Sequence, residues 1–343
     1  MRAAVLNEHG GLDVIEYRED LPVPEPSFGE VRIRVKAAAL NRLDLFVRQG
    51  WRGLQLNFPH VIAADGAGVV DSLGDGVHTV AVGDRVCVDP TIVPPDSPAL
   101  DTGMENQSRI AILGEHHPGL AAEYAVVPAR NVLHLPDHVE FGEAAAAGLV
   151  FVTAWHSLIT RGALRAGESV LVVGAGGGVN SASIQIARLA GARVYAIGSD
   201  AARCELATQL GAHVVINRAE TPGWAREIQT MTGRRGVDIV VDNVGAETLS
   251  DSMRAARIGG RILIVGGTSG YDFRLNVALL FSRHLTLIGS TMGPHQDYRN
   301  VMNLVFDGSL KAVIGERFPL AQARLAQKTL EEATVPGKIV LDI

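Results

Sequence analysis

The chain has 343 residues, of which 47% are apolar and 20% charged, and its formal net charge is −6 at neutral pH. A chain of this length forms about two domains with cores of their own, and the composition is that of an ordinary globular protein. The net negative charge gives no sign of the basic surface that binds nucleic acid, so a small molecule is the expected partner.

Targeting and disulfide signals are missing from the sequence. The first residues, MRAAVLNEHG, lack the apolar core of a signal peptide, and the longest charge-free stretch, residues 144–160, is short of a membrane span. Cys87 and Cys204 have no metal-type spacing, so we expect neither a disulfide framework nor a cysteine-rich zinc site. These features predict a cytoplasmic protein without a membrane partner.

The first third of the chain has the pattern of strands separated by turns. In VRIRVKA the apolar residues alternate with Arg32, Arg34 and Lys36, which is the period of a half-buried strand. GAGVV and DRVCV continue this pattern on either side of the turn SLGDG. Residues 90–109 contain four prolines and no periodicity, which predicts a long loop.

From residue 165 onward, short apolar runs alternate with helical patterns. The predicted strands are SVLVVGA, ARVYAIG, HVVIN, VDIVVD, RILIVGG and HLTLIGS, and the predicted helices cover 179–190, 201–210, 222–232 and 246–257. This alternation predicts a doubly wound parallel α/β sheet with right-handed crossovers. The C-terminal part carries another helix pattern and a final strand, GKIVLDI, that can return to the first domain.

The stretch LVVGAGGGVNSASIQIA joins the first of these strands to its helix. In a doubly wound sheet this turn takes the phosphates of a dinucleotide, because glycine lets the backbone approach and the helix N-terminus is partially positive. The literal G-x-G-x-x-G pattern is incomplete, since its third glycine would stand at Val179. A tight turn without a ligand is the alternative, and the order of strand, turn, helix and strand favours the dinucleotide site.

Segments along nearly the whole chain carry a resemblance to a known family. GAGGGVNSASIQIARLAGARVYAIG, VDIVVDNVGAETL, GGRILIVGGTSG, LTLIGSTMG and GKIVL resemble the nucleotide-binding half of the medium-chain dehydrogenase/reductase superfamily. KAAALNRLDLFVRQG, GAGVVDSLGDGVHTVAVGDRV and AAEYAVVPARNVLHLP resemble its GroES-like catalytic domain, and the zinc-independent quinone oxidoreductases and alcohol-dehydrogenase-like proteins are the most similar branch. The resemblance implies a β-rich GroES-like domain of residues 1–150 completed by 291–343, and a Rossmann domain of residues 151–290.

The resemblance also implies which residues contact a nicotinamide cofactor. Members of this branch have A-x-G-G-V-G where this chain has AGGGVN, so we expect Asn180 to cap the helix or to face the phosphate. Lys338 matches a basic position that can reach the pyrophosphate, and a solvated lysine is the alternative. The other positions carried over are Thr153, Ala175, Gly176, Gly177, Gly178, Val179, Asn243, Gly245, Gly266, Thr268, Ser290 and Met292.

The end of the second predicted strand distinguishes the two nicotinamide cofactors. An NAD-selective fold places an acid there to accept from the ribose 2′-hydroxyl, but the corresponding residue is Gly198. The glycine leaves room for a 2′-phosphate, which Ser199, Arg203 and Arg218 can bind, so NADP(H) is expected. Asp200 is the alternative reader of the ribose if the turn is shifted, and both arginines can instead be solvated charges.

The positions of the family's zinc ligands hold other residues in this chain. Zinc-dependent members place a Cys, a His and a Cys where this chain has Asn41, Ala64 and Leu149. Alanine and leucine cannot ligate a metal, and one amide oxygen cannot replace thiolate and imidazole. Those relatives also carry four cysteines in the loop that corresponds to residues 90–115, which here has none. The resemblance therefore implies no bound metal and disfavours plain alcohol oxidation.

Catalytic candidates lie in NRLDLF, where Asn41 and Asp44 match the Asn-x-x-Asp of the quinone oxidoreductases. We expect Asn41 to place the nicotinamide or to donate to the acceptor oxygen. We expect Asp44 to be an orienting, ion-paired carboxylate, with an acid role as the alternative. Phe46 stands where many relatives have a tyrosine, which removes a phenolic proton donor, and Trp51 can stack on a flat acceptor or simply pack.

The resulting hypothesis is a zinc-independent, NADPH-dependent oxidoreductase that transfers a hydride to a quinone or a similar electron-poor acceptor. An enone or enoyl (alkenal) reductase and an alcohol-dehydrogenase-like enzyme are the alternatives among enzymes. A non-catalytic NADPH-binding protein is the alternative outside them. Relatives commonly dimerise through the edge of the nucleotide-domain sheet, so RHLTLIGS is the expected edge of a homodimer or homotetramer.

Overall fold

The structure, a computed structural model, describes residues 1–100, 102–105 and 110–343. The chain divides into two compact units, a first unit of Met1–Val150 with Gly293–Ile343 and a second unit of Phe151–Met292. The strands are β1 (Ala3–Leu6), β2 (Ile15–Arg18), β3 (Glu30–Leu40), β4 (His60–Val61), β5 (Asp65–Leu73), β6 (Arg85–Val88), β7 (Thr91–Ile92), β8 (Ala111–Ile112), β9 (Tyr124–Pro128), β10 (Val132–His134), β11 (Ser169–Val173), β12 (Arg193–Gly198), β13 (Val214–Asn217), β14 (Val237–Asp242), β15 (Ala256–Ile264), β16 (Thr286–Gly289), β17 (Ile314–Pro319) and β18 (Lys338–Asp342). The helices are α1 (Arg42–Gln49), α2 (Phe141–Trp155), α3 (Gly178–Leu189), α4 (Ala201–Gln209), α5 (Trp224–Met231), α6 (Leu249–Ala255), α7 (Val277–Ser282), α8 (His295–Phe306) and α9 (Ala323–Glu332).

The first unit is built around the long strand β3. Its main sheet has the order β10-β6-β5-β3-β18-β17, and β9 also pairs with β3. Val31, Ile33 and Val35 of β3 are buried and join the core of this unit, which confirms the predicted alternation. The terminal strand β18 pairs antiparallel with β3, with Ile339 opposite Leu40, so it returns to the first unit as the sequence predicted.

The proline-rich stretch predicted as one long loop contains a short strand. Thr91 of β7 pairs with Ile112 of β8, and the side chain of Asn131 donates to the carbonyls of Asp89 and Thr91 at 2.8 and 2.7 Å. The loop prediction is therefore wrong for β7, because its strand partner lies some twenty residues away and leaves no local periodicity. Residues 101 and 106–109 of the predicted loop lie outside the described residues.

The second unit contains the predicted doubly wound sheet. Its six strands are parallel throughout and have the order β13-β12-β11-β14-β15-β16. The helix predicted over 246–257 is shorter and begins at Leu249, because its N-cap residue Thr248 is held by a hydrogen bond from its Oγ1 to the carboxylate of Asp242 at 2.9 Å. Residues 256 and 257 already belong to β15.

One helical stretch among the described residues, Phe141–Arg161, is long and apolar enough to cross a membrane by length and composition. It consists of α2 and a π-helical turn, His156–Arg161. Of its most apolar window, 78% is buried inside the protein, which is the behaviour of a core helix.

Candidate active site

The candidate catalytic residue Asn41 lies at the junction of β3 and α1 in the first unit. It is 5% exposed and is the N-cap residue of α1. The carboxylate of Asp44 accepts from the backbone N–H of Asn41 at 2.7 Å and from that of Ala63 at 2.8 Å. Ala63 has a φ of 74°, a left-handed conformation that costs an alanine energy and that this hydrogen bond helps to hold.

Asp44 therefore orients the backbone, although not as the expected ion pair. Its two carboxylate oxygens accept from backbone N–H groups, because the first turn of α1 and the Ala63 loop both offer unpaired donors. Burial raises the pKa of Asp44 to about 6, although both hydrogen bonds oppose that rise. The ion-pair expectation is corrected, and the orienting role is the one that the contacts support.

Asp65, which sequence reasoning missed, is the centre of the site. It is fully buried, and its Oδ2 accepts from Asn41 Nδ2 at 2.8 Å while its Oδ1 accepts from the backbone N–H of Leu149 at 2.7 Å. It thus brings together the positions 41 and 149 that the resemblance assigns to zinc ligands, and it directly follows Ala64. The signal in the sequence was one acid inside the apolar run HVIAADGAGVV.

Lys338, expected at the pyrophosphate or in solvent, belongs to this cluster. It is 4% exposed, and its Nζ donates to Asp65 Oδ2 at 3.1 Å and to Asn41 Oδ1. The reason is strand register: Ile339 lies opposite Leu40, which sets Lys338 beside Asn41. Burial lowers the pKa of Lys338, and the carboxylate of Asp65 opposes this. The alternative of a solvated lysine is therefore wrong, and the contact with the pyrophosphate stays a prediction.

The residues of this cluster do not form the donor set of a zinc site. An ammonium group already donates to the Asp65 carboxylate, and positions 64 and 149 carry aliphatic side chains. Within the described ranges, no group of three or more His, Cys, Asp or Glu residues could hold a metal ion. Trp51, the candidate stacking residue, lies beyond the end of α1 with 43% of its surface exposed.

In the second unit, the glycine turn between β11 and α3 has the conformation that a phosphate site requires. Gly174 and Gly176 have φ values of 91° and 104°, which favour glycine, and Gly177 is the N-cap of α3. The backbone of Gly174–Gly178 thus leads directly into the N-terminus of a 12-residue helix. Bare backbone and a helix N-terminus fit the pyrophosphate of a nicotinamide cofactor.

Asn180 serves this turn in a way that the sequence did not indicate. It neither caps α3, whose N-cap is Gly177, nor has a free amide. Its Nδ2 donates to the carbonyls of Val173, at 3.1 Å, and of Gly174, and its Oδ1 accepts from Asn243 Nδ2. The expectation of a cap is wrong, because the side chain turns back onto the end of β11 and ties it to the segment after β14.

Several of the remaining cofactor candidates follow the carboxyl ends of the parallel strands, and Thr153 lies on α2. The backbone N–H of Thr268 donates to the carbonyl of Asn243 at 3.3 Å, and Ser290 N donates to the carbonyl of Ile264 at 3.0 Å. Thr153 Oγ1 lies 3.9 Å from the sulfur of Met292. The other candidates of this group, placed in the loops that follow these strands, are Gly245 and Gly266.

The end of β12 differs from the expected phosphate pocket. A Cβ at Gly198 would lie 2.4 Å from Cys204 Sγ, so the room that the glycine leaves is taken by this sulfur, and that argument for a 2′-phosphate is wrong. Asp200 is the N-cap of α4, accepting from the backbone N–H of Arg203 at 3.0 Å and from Ser199 Oγ at 2.8 Å. It also pairs with the guanidinium of Arg203. The backbone N–H of Arg218 donates to the carbonyl of Gly198 at 2.9 Å.

Arg203 nevertheless lies over the glycine turn. A Cβ at Gly176 would be 2.6 Å from Arg203 Cγ, so the arginine side chain packs directly on this glycine. A positive charge at this point of a dinucleotide site favours an anionic group of the ligand.

Fold and site together define the class: a nicotinamide-dependent oxidoreductase with a Rossmann unit and a GroES-like unit. A family model described as "Alcohol dehydrogenase GroES-like domain" matches residues 27–137, and one described as "Zinc-binding dehydrogenase" matches residues 178–307. The quinone oxidoreductase of Homo sapiens is 31% identical over 99% of this chain and 97% of its own length.

Further relatives extend over the full chain. A zinc-type alcohol dehydrogenase-like protein of Schizosaccharomyces pombe is 30% identical, covering 100% of this chain and 99% of its own. A solved structure described as an NAD-dependent alcohol dehydrogenase is 43% identical, with a TM-score of 0.96 and full coverage of both chains. The chain belongs to the medium-chain dehydrogenase/reductase superfamily.

Proposed function

We propose that this protein is a zinc-independent, NADPH-dependent reductase of quinones or similarly electron-poor acceptors. The observation that carries the proposal is the buried cluster of Asn41, Asp65 and Lys338, in which Asn41 occupies one position that the resemblance assigns to a zinc ligand and Asp65 accepts from the backbone of another, Leu149. An acceptor that is already electron-poor needs no Lewis acid, because hydrogen bonds stabilise the negative charge that develops on its oxygen and a proton from solvent then completes the reduced product.

Each residue has a distinct part in this chemistry. The bound cofactor supplies the hydride. The Asn41 amide donates a hydrogen bond to the acceptor oxygen, where it stabilises the charge formed during transfer. Asp44 fixes the backbone of Asn41 and of Ala63, which keeps the amide in place between turnovers.

We propose NADP(H) as the cofactor because of Arg203. Asp200, the rival reader of a ribose hydroxyl, already uses both oxygens on the N-terminus of α4, on Ser199 and on Arg203 itself. Arg203 packs on Gly176, where its guanidinium can exchange the carboxylate of Asp200 for the 2′-phosphate, and Asp200 then keeps its contacts with Ser199 and with the backbone N–H of Arg203. The name of the 43% identical relative, an NAD-dependent enzyme, supports the opposite choice, so the titration given in the Discussion decides between them.

The alternatives differ in what the acceptor is. The names of the alcohol dehydrogenase relatives support alcohol–ketone exchange, and an enone presents the same oxygen to Asn41 as a quinone does. We further propose a cytoplasmic homodimer or homotetramer that assembles through β16, the end strand of the six-stranded sheet.

The experiment that tests the function follows the absorbance of the reduced cofactor in the presence of benzoquinone, naphthoquinone, an enone or an aldehyde. A second assay supplies ethanol and oxidised cofactor and follows formation of the reduced cofactor. Quinones should be reduced and ethanol should not be oxidised. Asn41→Ala should lower kcat by about 10²- to 10³-fold while cofactor affinity stays unchanged, because the lost donor acts on the transition state.

The control is Asn300→Ala, an exposed asparagine on α8, which should behave as the parent. Elemental analysis of protein purified without chelator should find no zinc. Efficient ethanol oxidation, one zinc per chain, or unchanged turnover of Asn41→Ala would each contradict the proposal.

A further inference from the structure

We propose that Asp65 and Lys338 form a positioning pair that holds the Asn41 amide with one N–H directed to the acceptor. This inference rests on the proposed function and deepens it. The pair contacts both ends of the amide: Lys338 Nζ donates to Asn41 Oδ1, and Asp65 Oδ2 accepts from Asn41 Nδ2 at 2.8 Å.

The chemistry of the pair fixes which end of the amide is oxygen and which is nitrogen. An ammonium group has donors and no acceptor, and an ionised carboxylate has acceptors and no donor. A flipped Asn41 would put its NH₂ group against Lys338 and its oxygen against Asp65. Two charge-assisted hydrogen bonds would then be replaced by two repulsive contacts. The amide therefore has one stable orientation.

That orientation leaves a donor for the ligand. The Nδ2 group carries two hydrogens, and within the described part of the chain Asp65 is the acceptor that it contacts. The ammonium on Oδ1 also polarises the amide, because linked hydrogen bonds strengthen one another at low dielectric. The remaining N–H is a stronger donor than that of an isolated asparagine.

Backbone from three elements holds the pair itself. The N–H of Leu149 on α2 donates to Asp65 Oδ1, and a Cβ at Gly148 would lie 2.3 Å from this oxygen, so α2 closes tightly on the carboxylate. Lys338 is set by the register of β18 against β3. Burying two charges has a desolvation penalty, and their mutual attraction barely compensates for that free energy. A contribution to folding stability is therefore a weak explanation for this pair.

The test uses the neutral double variant Asp65→Asn/Lys338→Met, which leaves no lone buried charge. The new amide at position 65 can still accept from Leu149 N, but its NH₂ group then faces Asn41, whose own amide is free to flip and present its oxygen to the acceptor. We expect unchanged cofactor affinity, a KM for the quinone within about threefold of the parent, and kcat lower by about 100-fold.

Two further measurements separate positioning from other roles. In an Asn41→Ala background the double variant should lower kcat by less than about threefold, because residues that act as one unit are not additive. In ¹⁵N spectra the side-chain amide signal of Asn41, assigned by its loss in Asn41→Ala, should be slowly exchanging in the parent and fast in the double variant. The control is Lys328→Met/Glu332→Gln, an exposed ion pair on α9.

Gly148→Ala provides a second route if the double variant fails to fold, since the added methyl displaces Asp65 without removing its charge. It should show the same loss of kcat. Parental kcat in the folded variants, an additive loss in the Asn41→Ala background, or an unchanged amide signal would overturn the pair's role. An inactive parent with the expected amide signals would instead overturn the proposed function and keep the positioning.

Discussion

Asn180 is the residue whose replacement tests the second unit most directly. Asn180→Ala removes three hydrogen bonds, to the carbonyls of Val173 and Gly174 and from Asn243. At about 1 kcal/mol each they contribute about 3 kcal/mol, and the better helix propensity of alanine returns about 0.5 kcal/mol. The expected loss in the free energy of unfolding is about 2 to 3 kcal/mol.

Glycine, the residue that relatives have at this position, should cost about 1 kcal/mol more than alanine, because α3 loses helix propensity in addition. The assay is urea unfolding of both variants beside Leu189→Ala, a half-exposed residue of the same helix, as control. In the double variant Asn180→Ala/Asn243→Ala the losses should not add, since the two amides satisfy each other.

Cofactor affinity gives the second half of this test. We propose that the backbone N–H groups of Gly174–Gly178 donate to the phosphates, so NADPH affinity should change little in Asn180→Ala. A loss of stability below about 0.5 kcal/mol would refute the hydrogen-bond reasoning. A collapse of affinity with intact stability would show that the amide faces the phosphate after all.

The remaining predictions concern the cofactor and pH. In fluorescence titrations NADPH should bind more tightly than NADH, and Arg203→Ala should weaken NADPH alone, by about 1.5 to 3 kcal/mol, with exposed Arg188→Ala as control. Asp200→Asn should strengthen NADPH binding; weaker NADH binding in that variant, or tighter NADH binding by the parent, would assign the ribose to Asp200. Burial opposes the charged form of His295, but its 2.6 Å contact with Asp89 prevails and raises the pKa of this histidine. Because the pKa is higher in the folded state, protonated His295 stabilises the fold fully below the unfolded pKa of about 6.5. This stabilisation is lost as the pH rises through the folded pKa. The melting temperature of the parent, relative to that of His295→Gln, should therefore fall as the pH rises from the unfolded to the folded pKa. Parallel pH curves would contradict that assignment.

Local chemistry made much of the fold predictable from the sequence. The period of two in β3, the apolar runs of the parallel strands and the glycine run before α3 are properties of neighbouring residues, and the alternation of strands and helices predicts a parallel sheet. Asn41 and Asp44 were found because NRLDLF matches the Asn-x-x-Asp of the quinone oxidoreductases, whereas the hydrogen bond from the backbone of Asn41 to Asp44 came from the structure.

Only the tertiary structure could assign partners across the chain. Lys338 and Asn41 are 297 residues apart in sequence, and the register of β18 on β3 places them side by side. In the sequence Asp65 does not differ from the other acidic residues, and only the structure shows its contacts with Asn41, Leu149 and Lys338. The space beside Gly198 likewise depended on where Cys204 packs. A sequence pattern records which side chains a segment offers, whereas hydrogen-bond partners, burial and filled space depend on distant segments that packing alone brings together.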